Sequence, residues 1–444
     1  MRIIRACFDE GVESVVGLSE ADIFSCPAWT ASHAVCIGPA PAANSYLNPQ
    51  AVVAGALATK CDALHPGYGF LAENPELPKL CAEHGLIFIG PRADTLQLWN
   101  DKVAARNFAF SLGIPVSRAS SLLGSTAEAI VAAEALQFPL MLKSAGGGGG
   151  RGMRSVKSID ELQSVFETAA YEATVSFGNP RLYLEGLVSS AHHVEVQLLA
   201  DTLGNCVHLG TRDCTSQRRF QKVVEEAPAT AIPKAVERQI IEAAITLAQV
   251  AGHVGAATVE FLLDTNTGDW LFLEVNGRLQ VEHGVTEQVT GIDIVREQIR
   301  VASGHPLSIA QQSIQFDGHS VQLRLTCEDV TREFTPGPGR ISAWGMPAGQ
   351  GVRIETHCYP GYEVPRFYDT LLAMLIFTGI NREETLMTAK RALLSTTVEG
   401  IPSNLDFLDH LISNSAFGAQ AHDTAWVETQ LLPDYLASAA GGRS

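Results

Sequence analysis

Between Glu260 and His283 the chain reads EFLLDTNTGDWLFLEVNGRLQVEH, the stretch that most restricts how it can fold. Two apolar runs, TVEFLL and WLFLEV, flank the turn-rich segment Asp264–Asp269. The pattern predicts a β-hairpin with one carboxylate, Glu260 or Glu274, on each strand. Asn276 follows Glu274 by two residues and on an extended strand shares its face. Three oxygen-bearing side chains on one face suit Mg²⁺ (or Mn²⁺), which takes a few carboxylate or amide oxygens and leaves the rest of its shell to water and phosphate. The alternative is a pair of ordinary carboxylates on a solvated face. That reading explains less well why Glu alternates with large apolar residues, and why the strand runs on into Arg278, Gln280, Glu282 and His283.

At 444 residues the chain exceeds what one hydrophobic core usually serves, so two to four domains or subdomains are expected. A formal net charge of −17 argues against general binding to nucleic acid or to an anionic membrane, both of which need a basic footprint. It leaves room for a local cationic pocket. Nine cysteines without a C-x-x-C pair point to reduced thiols in a cytoplasm-like compartment rather than to a disulfide framework or a zinc site. No run is apolar and long enough to span a bilayer, and the opening MRIIRACFDEGVESV has the pattern of an amphipathic helix, not of a signal peptide. A cytoplasmic protein is expected.

Residues 1 to about 98 alternate helical and short strand patterns: a first helix, VCIGPA, a helix over Asn48–Thr59, CDALHPGYGFL and LIFIG. Strands separated by helices predict a parallel α/β layer. The loop HPGYGFLAEN (His65–Asn74) is either a plain turn or the kind of loop on which such layers carry ligands. After a helical stretch around Asn100–Leu112, with Lys102 near its start, a buried-strand run ends at Lys143 and meets five glycines before R-G-M. A glycine run lets successive amide N–H groups approach phosphate oxygens, and Lys143 can add a point charge. The run is a lid over a nucleotide or else a flexible linker. A helix over Ile159–Ala173 and the strand RLYLEGLV follow, with Glu185 near the strand end, where backbone groups can meet an adenine edge. HHVEVQLLAD alternates so that His193, Glu195 and Gln197 share a face, and TRDCTSQRRFQKVVEEAP gathers Arg212, Arg218, Arg219 and Lys222 into a candidate small-anion site. From about 315 onward HSVQLRLTCED, GRISAWG, GVRIETH and LLAMLIFTG read as a mostly β region, finished by a helix and a polar tail.

In this order HPGYGFLAEN, KSAGGGGGRGM, RDCTSQRRFQKVVEEAP, EVNGRLQVEH and FYDTLLAMLI resemble the biotin carboxylase family of the ATP-grasp superfamily, from about residue 1 to about 430. The resemblance implies a mixed α/β and α+β chain. Its expected parts are an N-terminal parallel α/β domain (1–98, the pre-ATP-grasp domain), an ATP-grasp domain (99–314) with a mobile lid near 117–187, and a C-terminal mostly β domain (315–444). It further implies ATP contacts at Lys102, Lys143, Gly149, Gly150, Met153, Glu185, Gly186, Leu187, Val188, His193, Phe220 and Gln221, and Mg²⁺ ligands at Glu260, Glu274 and Asn276. Lys222, Arg278, Gln280, Val281 and Arg324 match the pocket for bicarbonate and biotin, with Glu282 the base and Arg324 facing the biotin ureido oxygen. No A-M-K-M biotinylation motif is present. Biotin is therefore expected on a separate biotin carboxyl carrier protein, alongside carboxyltransferase subunits, with a homodimer implied by resemblance alone.

Departures from the family pattern are few. Its usual first strand and N-R-G-E-I-A loop are absent, which is expected to leave strand edges open in the first sheet. Phe220 stands where His is common, Gly186 where Lys is common, and Gly277 and Gly284 replace the commoner Thr and Pro.

Overall fold

The computed structural model describes residues 1–145, 152–177 and 179–441. The first helix, Arg2–Asp9, is shorter than the opening pattern predicts. Gly11 takes a left-handed φ of 68°, and the chain then enters a strand, Val15–Ser19, whose β-branched valines favour extended backbone. This strand pairs in parallel with His33–Gly38, and Ala63–Leu64 pairs in parallel with Ile87–Phe88. The helix between the two ribbons, Pro49–Ala58, begins where predicted, because the Asn48 side chain accepts the Ala51 amide at 3.1 Å and caps it. Among the described residues the two ribbons are not hydrogen-bonded to one another, so the parallel layer is interrupted and each ribbon keeps an unpaired edge.

An antiparallel eight-stranded sheet organises the rest. Its order is Trp270–Asn276, Gly255–Asp264, Ala191–Ala200, Cys206–Asp213, Val224–Ala227, His319–Thr326, Leu371–Gly379 and Val352–Thr356. The strands after residue 315 therefore extend the same sheet that carries the hairpin. Every residue of Ala191–Ala200 is buried. Its apolar alternates Val194, Val196 and Leu198 pack with Ile240, Ala244 and Leu247 of the helix Lys234–Val250. The polar alternates His193, Glu195 and Gln197 are turned to the opposite face, which the helix His283–Thr290 helps to cover.

A second, three-stranded antiparallel sheet stands apart: Leu140–Ser144 lies between Met153–Val156 and Leu182–Gly186. The helices Thr126–Leu136 and Ile159–Phe177 back it, and Leu140, Leu142, Phe166 and Leu184 give it an apolar cluster of its own. At the other end of the molecule the helix Leu432–Gly441 closes the described chain, and Leu432 and Tyr435 pack on the core formed by Leu323, Leu375, Phe377 and Phe407. Among the described residues no helix is long and apolar enough to cross a membrane.

Candidate active site

The hairpin forms as predicted, with Glu260 directly opposite Glu274 and Asn276 opposite Thr258. The register continues across the sheet, where Glu260 faces Glu195 and Glu195 faces Arg212. One rung thus carries Glu274, Glu260, Glu195 and Arg212, and the rung beside it carries Asn276, Thr258 and Gln197. Three carboxylates on adjacent strands repel one another, and burial removes the water that would screen them. Cations brought in from outside the rung answer that charge. Lys102, at the start of the helix Lys102–Ser111, ion-pairs with Glu274. Lys222 reaches Glu195, lies 3.0 Å from Glu260 Oε1, and donates to Glu282 Oε1 at 2.8 Å. Arg324 holds the other Glu282 oxygen at 3.0 Å and Glu225 at 2.6 Å. The groups form an alternating chain: Arg212, Glu195, Lys222, Glu282, Arg324, Glu225.

This alternation decides the ionisation of each member. Burial pushes the Glu282 carboxyl up, but Lys222, Arg324 and Arg212 outweigh it and hold the group below its usual range. Burial likewise opposes ionisation of Glu260, and Lys222 with His193 overcomes it. Glu195 goes the other way: burial raises it, and Lys222 and Arg212 only partly compensate. Glu225 is pushed up to about 7 by burial, with the Glu282 charge acting against the help of Arg324. Burial would lower the Lys222 ammonium, yet Glu195, Glu260 and Glu282 keep it well above the normal lysine value.

Around this chain the remaining predicted residues fall into two groups. Asn276 Nδ2 lies 2.8 Å from Glu260 Oε1 and 3.4 Å from Glu274 Oε1, so the amide spans the two carboxylates. Its Oδ1 accepts Arg278 at 3.1 Å, Arg278 also donates to Gln280 Oε1 at 3.1 Å, and Gln280 Nε2 lies 3.4 Å from Glu260 Oε1. Arg278 Nε is 3.3 Å from Glu73 of the HPGYGFLAEN loop, which places that loop at the border of the cluster. Val281 packs on the apolar group of Val285, Val289 and Ile376. His193, predicted as a nucleotide contact, sits with Nε2 2.9 Å from Glu260 Oε2.

The second group belongs to the small sheet. Lys143 Nζ lies 2.5 Å from Glu185 Oε2, and Ser117 donates to the same carboxylate. Met153 is the register partner of Lys143. Gly186 N donates to Arg118 O at 2.8 Å and Leu187 N to Pro139 O at 3.2 Å, while Val188 is half-buried beyond the strand end. Gly149 and Gly150 lie outside the described residues.

One expectation needs correction. The basic segment does not converge on one anion: among the described residues Lys222 reaches three carboxylates and Arg212 reaches Glu195, while the side chains of its other two arginines reach none. Arg218 stacks 3.9 Å over the Phe334 ring and donates to Glu333 O, and Arg219 is exposed at a turn. Arg212 is wholly buried within the sheet. Phe220 and Gln221 are also exposed, and Phe220 shares that tight turn with Arg219 at φ values of 63° and 47°, a strained conformation for a bulky residue. Sequence reasoning placed Arg212 in an anion site and assigned no role to Glu195 or Glu225. The one available signal was charged residues at alternate positions of otherwise apolar strands. Of the glycine departures, Gly284 has a clear cause: a Cβ there would stand 2.4 Å from Ile376 Cδ1.

A small lysine-bearing sheet set apart from a large carboxylate-bearing sheet is the layout of the ATP-grasp ligases. Residues 1–96 match the family model "Biotin carboxylase, N-terminal domain", 101–310 match "Carbamoyl-phosphate synthase L chain, ATP binding domain", and 322–429 match "Biotin carboxylase C-terminal domain". Biotin carboxylase 1 of Bacillus subtilis (strain 168) is 40% identical over 430 residues, covering 97% of this chain and 96% of that one. The chloroplastic biotin carboxylase 1 of Populus trichocarpa is 42% identical over 428 residues, covering 96% of this chain and 81% of that one. Among solved structures, a biotin carboxylase complex from Campylobacter jejuni superposes with a TM-score of 0.93 at 39% identity, covering 96% of this chain and 95% of that one. The biotin carboxylase domain of a Hydrogenobacter thermophilus 2-oxoglutarate carboxylase gives the same TM-score, 0.93, at 35% identity, covering 97% and 95%. The chain belongs to the biotin carboxylase family of ATP-grasp ligases.

Proposed function

We propose that the chain uses ATP and bicarbonate to carboxylate biotin carried on a separate carrier protein, as the biotin carboxylase subunit of an acetyl-CoA type or related carboxylase serving fatty acid biosynthesis. The observation that carries this reading is Glu282: a wholly buried carboxylate gripped on one oxygen by Lys222 and on the other by Arg324. A carboxylate so held is a weak base. An anion entering between Lys222 and Arg324 shares their charge and raises the proton affinity of Glu282 as it binds. Proton removal from bicarbonate is thereby coupled to its capture, with Arg278, Gln280 and Val281 completing the pocket.

Glu260, Glu274 and Asn276 fit Mg²⁺ by the chemistry of their hard oxygens: the amide Nδ2 of Asn276 lies within 3.4 Å of both carboxylates, and with the ion bound its Oδ1 would take that place. A divalent ion held there would offset phosphate charge during transfer. Lys102 and Lys143, here on Glu274 and Glu185, would supply positive charge to the phosphates, with Gly149 and Gly150 as further expected contacts. Residues 185–188 would line the adenine, and Met153, His193, Phe220 and Gln221 complete the ATP set. Arg324 would then stabilise the enolate-like oxygen of deprotonated biotin, as an oxyanion hole does.

Support comes from the Hydrogenobacter domain, whose structure is a dimer in complex with MgADP, ADP and bicarbonate. A homodimer, carrier and carboxyltransferase partners, and a cytoplasmic setting in which the free cysteines stay reduced belong to the same reading. So does the division at 1–98, 99–314 and 315–444 with a lid at 117–187, which the separate apolar cluster of the small sheet supports.

Bicarbonate-dependent ATP hydrolysis stimulated by free biotin tests the proposal. Hydrolysis insensitive to biotin would assign another acceptor, and no hydrolysis would assign a non-catalytic subunit.

A further inference from the structure

Arg212 has no place in the pocket, yet no side chain in the cluster has more partners. It is 0% exposed. Its Nε and Nη2 donate to Glu195 Oε2 at 3.0 and 2.9 Å, and Nη2 also donates to Thr258 Oγ1 at 2.9 Å. Its Nη1 donates to Gln197 Oε1 at 2.7 Å and to Thr286 Oγ1 at 3.0 Å. These acceptors sit on two strands and a helix. Glu195 belongs to the rung of Glu260 and Glu274, Gln197 and Thr258 to the rung of Asn276, and Thr286 to the helix His283–Thr290 that starts directly after Glu282.

We infer that Arg212 is the positioning residue of this site, fixing Glu195 and the helix after Glu282 so that Lys222 is delivered between Glu195 and Glu282. Arg212 grips one oxygen of Glu195 and Lys222 takes the other, so the rotamer of Glu195 is set from behind. Glu282 lies at the N-terminal end of its helix, and Thr286, one turn further on, is tied to the same guanidinium. Only a planar fork with five N–H donors can meet acceptors on two neighbouring strands and a helix at once; a lysine keeps the charge and loses the fork. The position of the Lys222–Glu282 pair then depends on a residue that touches neither. This inference rests on the reading of Lys222 and Glu282 as the bicarbonate-handling groups.

The test is steady-state kinetics of bicarbonate-dependent ATP hydrolysis for Arg212→Lys, with Thr286→Val as a milder variant that removes one acceptor at nearly constant volume. Arg382→Lys serves as a control, because Arg382 also makes a buried fork, to Glu226 at 2.6 and 2.9 Å, but away from the cluster. Arg212→Lys is expected to lower kcat/KM for bicarbonate about tenfold or more, with KM for ATP within about twofold of wild type. Thr286→Val should lower it about threefold with the same split, and Arg382→Lys should lower Tm without the split. Folded Arg212→Lys with unchanged kcat/KM for bicarbonate would overturn the inference. Should that variant not fold, an unchanged Thr286→Val would do the same. Wild-type protein inactive in the same assay would instead remove the reading of the site itself, so the two failures are distinguishable.

Discussion

The two lysine-bearing regions of the site handle their charges differently. Beside the central sheet Lys222, on a short ribbon of its own, is shared among three glutamates, and those glutamates are held in turn by Arg212, His193 and Arg324, all on strands of the one hydrogen-bonded sheet. In the small sheet Lys143 has, among the described residues, a single carboxylate partner, Glu185, supplied by the neighbouring strand. The first arrangement is over-determined: moving one group leaves several buried charges unmatched. The second can be opened at the cost of one pair. Preorganised charge at the large sheet and exchangeable charge at the small one is a division of labour suited to the reaction proposed above.

The largest effect should come from Glu282→Gln. Without the carboxylate, bicarbonate-dependent ATP turnover should fall about a hundredfold or more while ATP affinity, measured by equilibrium binding, stays near wild type. Full activity would remove Glu282 as base and with it the special status of the central cluster.

A matched pair of substitutions sharpens the contrast between the regions. Lys222→Met strands Glu195, Glu260 and Glu282 in the interior and is expected to destabilise the protein by about 3–5 kcal/mol in denaturant unfolding. Lys143→Met leaves one carboxylate that still accepts Ser117, so its cost in the same measurement should be clearly smaller and its main effect a higher KM for ATP. Equal destabilisation would erase the distinction drawn here.

The smallest effect concerns pH. In the folded protein Glu225 is pushed up to about 7, above the ordinary carboxylate value of 4.5, so between those values the folded state holds the extra proton. Its contribution to stability is therefore present at low pH and lost as pH rises through about 7. Glu282 and Glu260, held low, contribute in the opposite sense, losing stability on acidification. Glu225→Gln removes the first term, so the Tm difference between this variant and wild type should move in the variant's favour on going from about pH 5 to about pH 8. A difference independent of pH would mean that Arg324 keeps Glu225 ionised throughout.

What the sequence determined by itself follows from local rules. Alternation and turn chemistry placed Glu260, Glu274 and Asn276 on one face of a hairpin, and the helix beginning at Asn48 and the Lys143 strand end were equally legible. Where the first helix stops was less so, because the opening residues keep a helical pattern past the point at which Gly11 turns the chain. The partners of the carboxylates were decided only by tertiary structure. Which strands lie side by side, and in which register, depends on contacts between residues tens of positions apart. Only that register sets Glu195 between Glu260 and Arg212 and brings Lys222 and Arg324 onto Glu282. A sequence shows a charge; its neighbours set its ionisation, and folding chooses the neighbours.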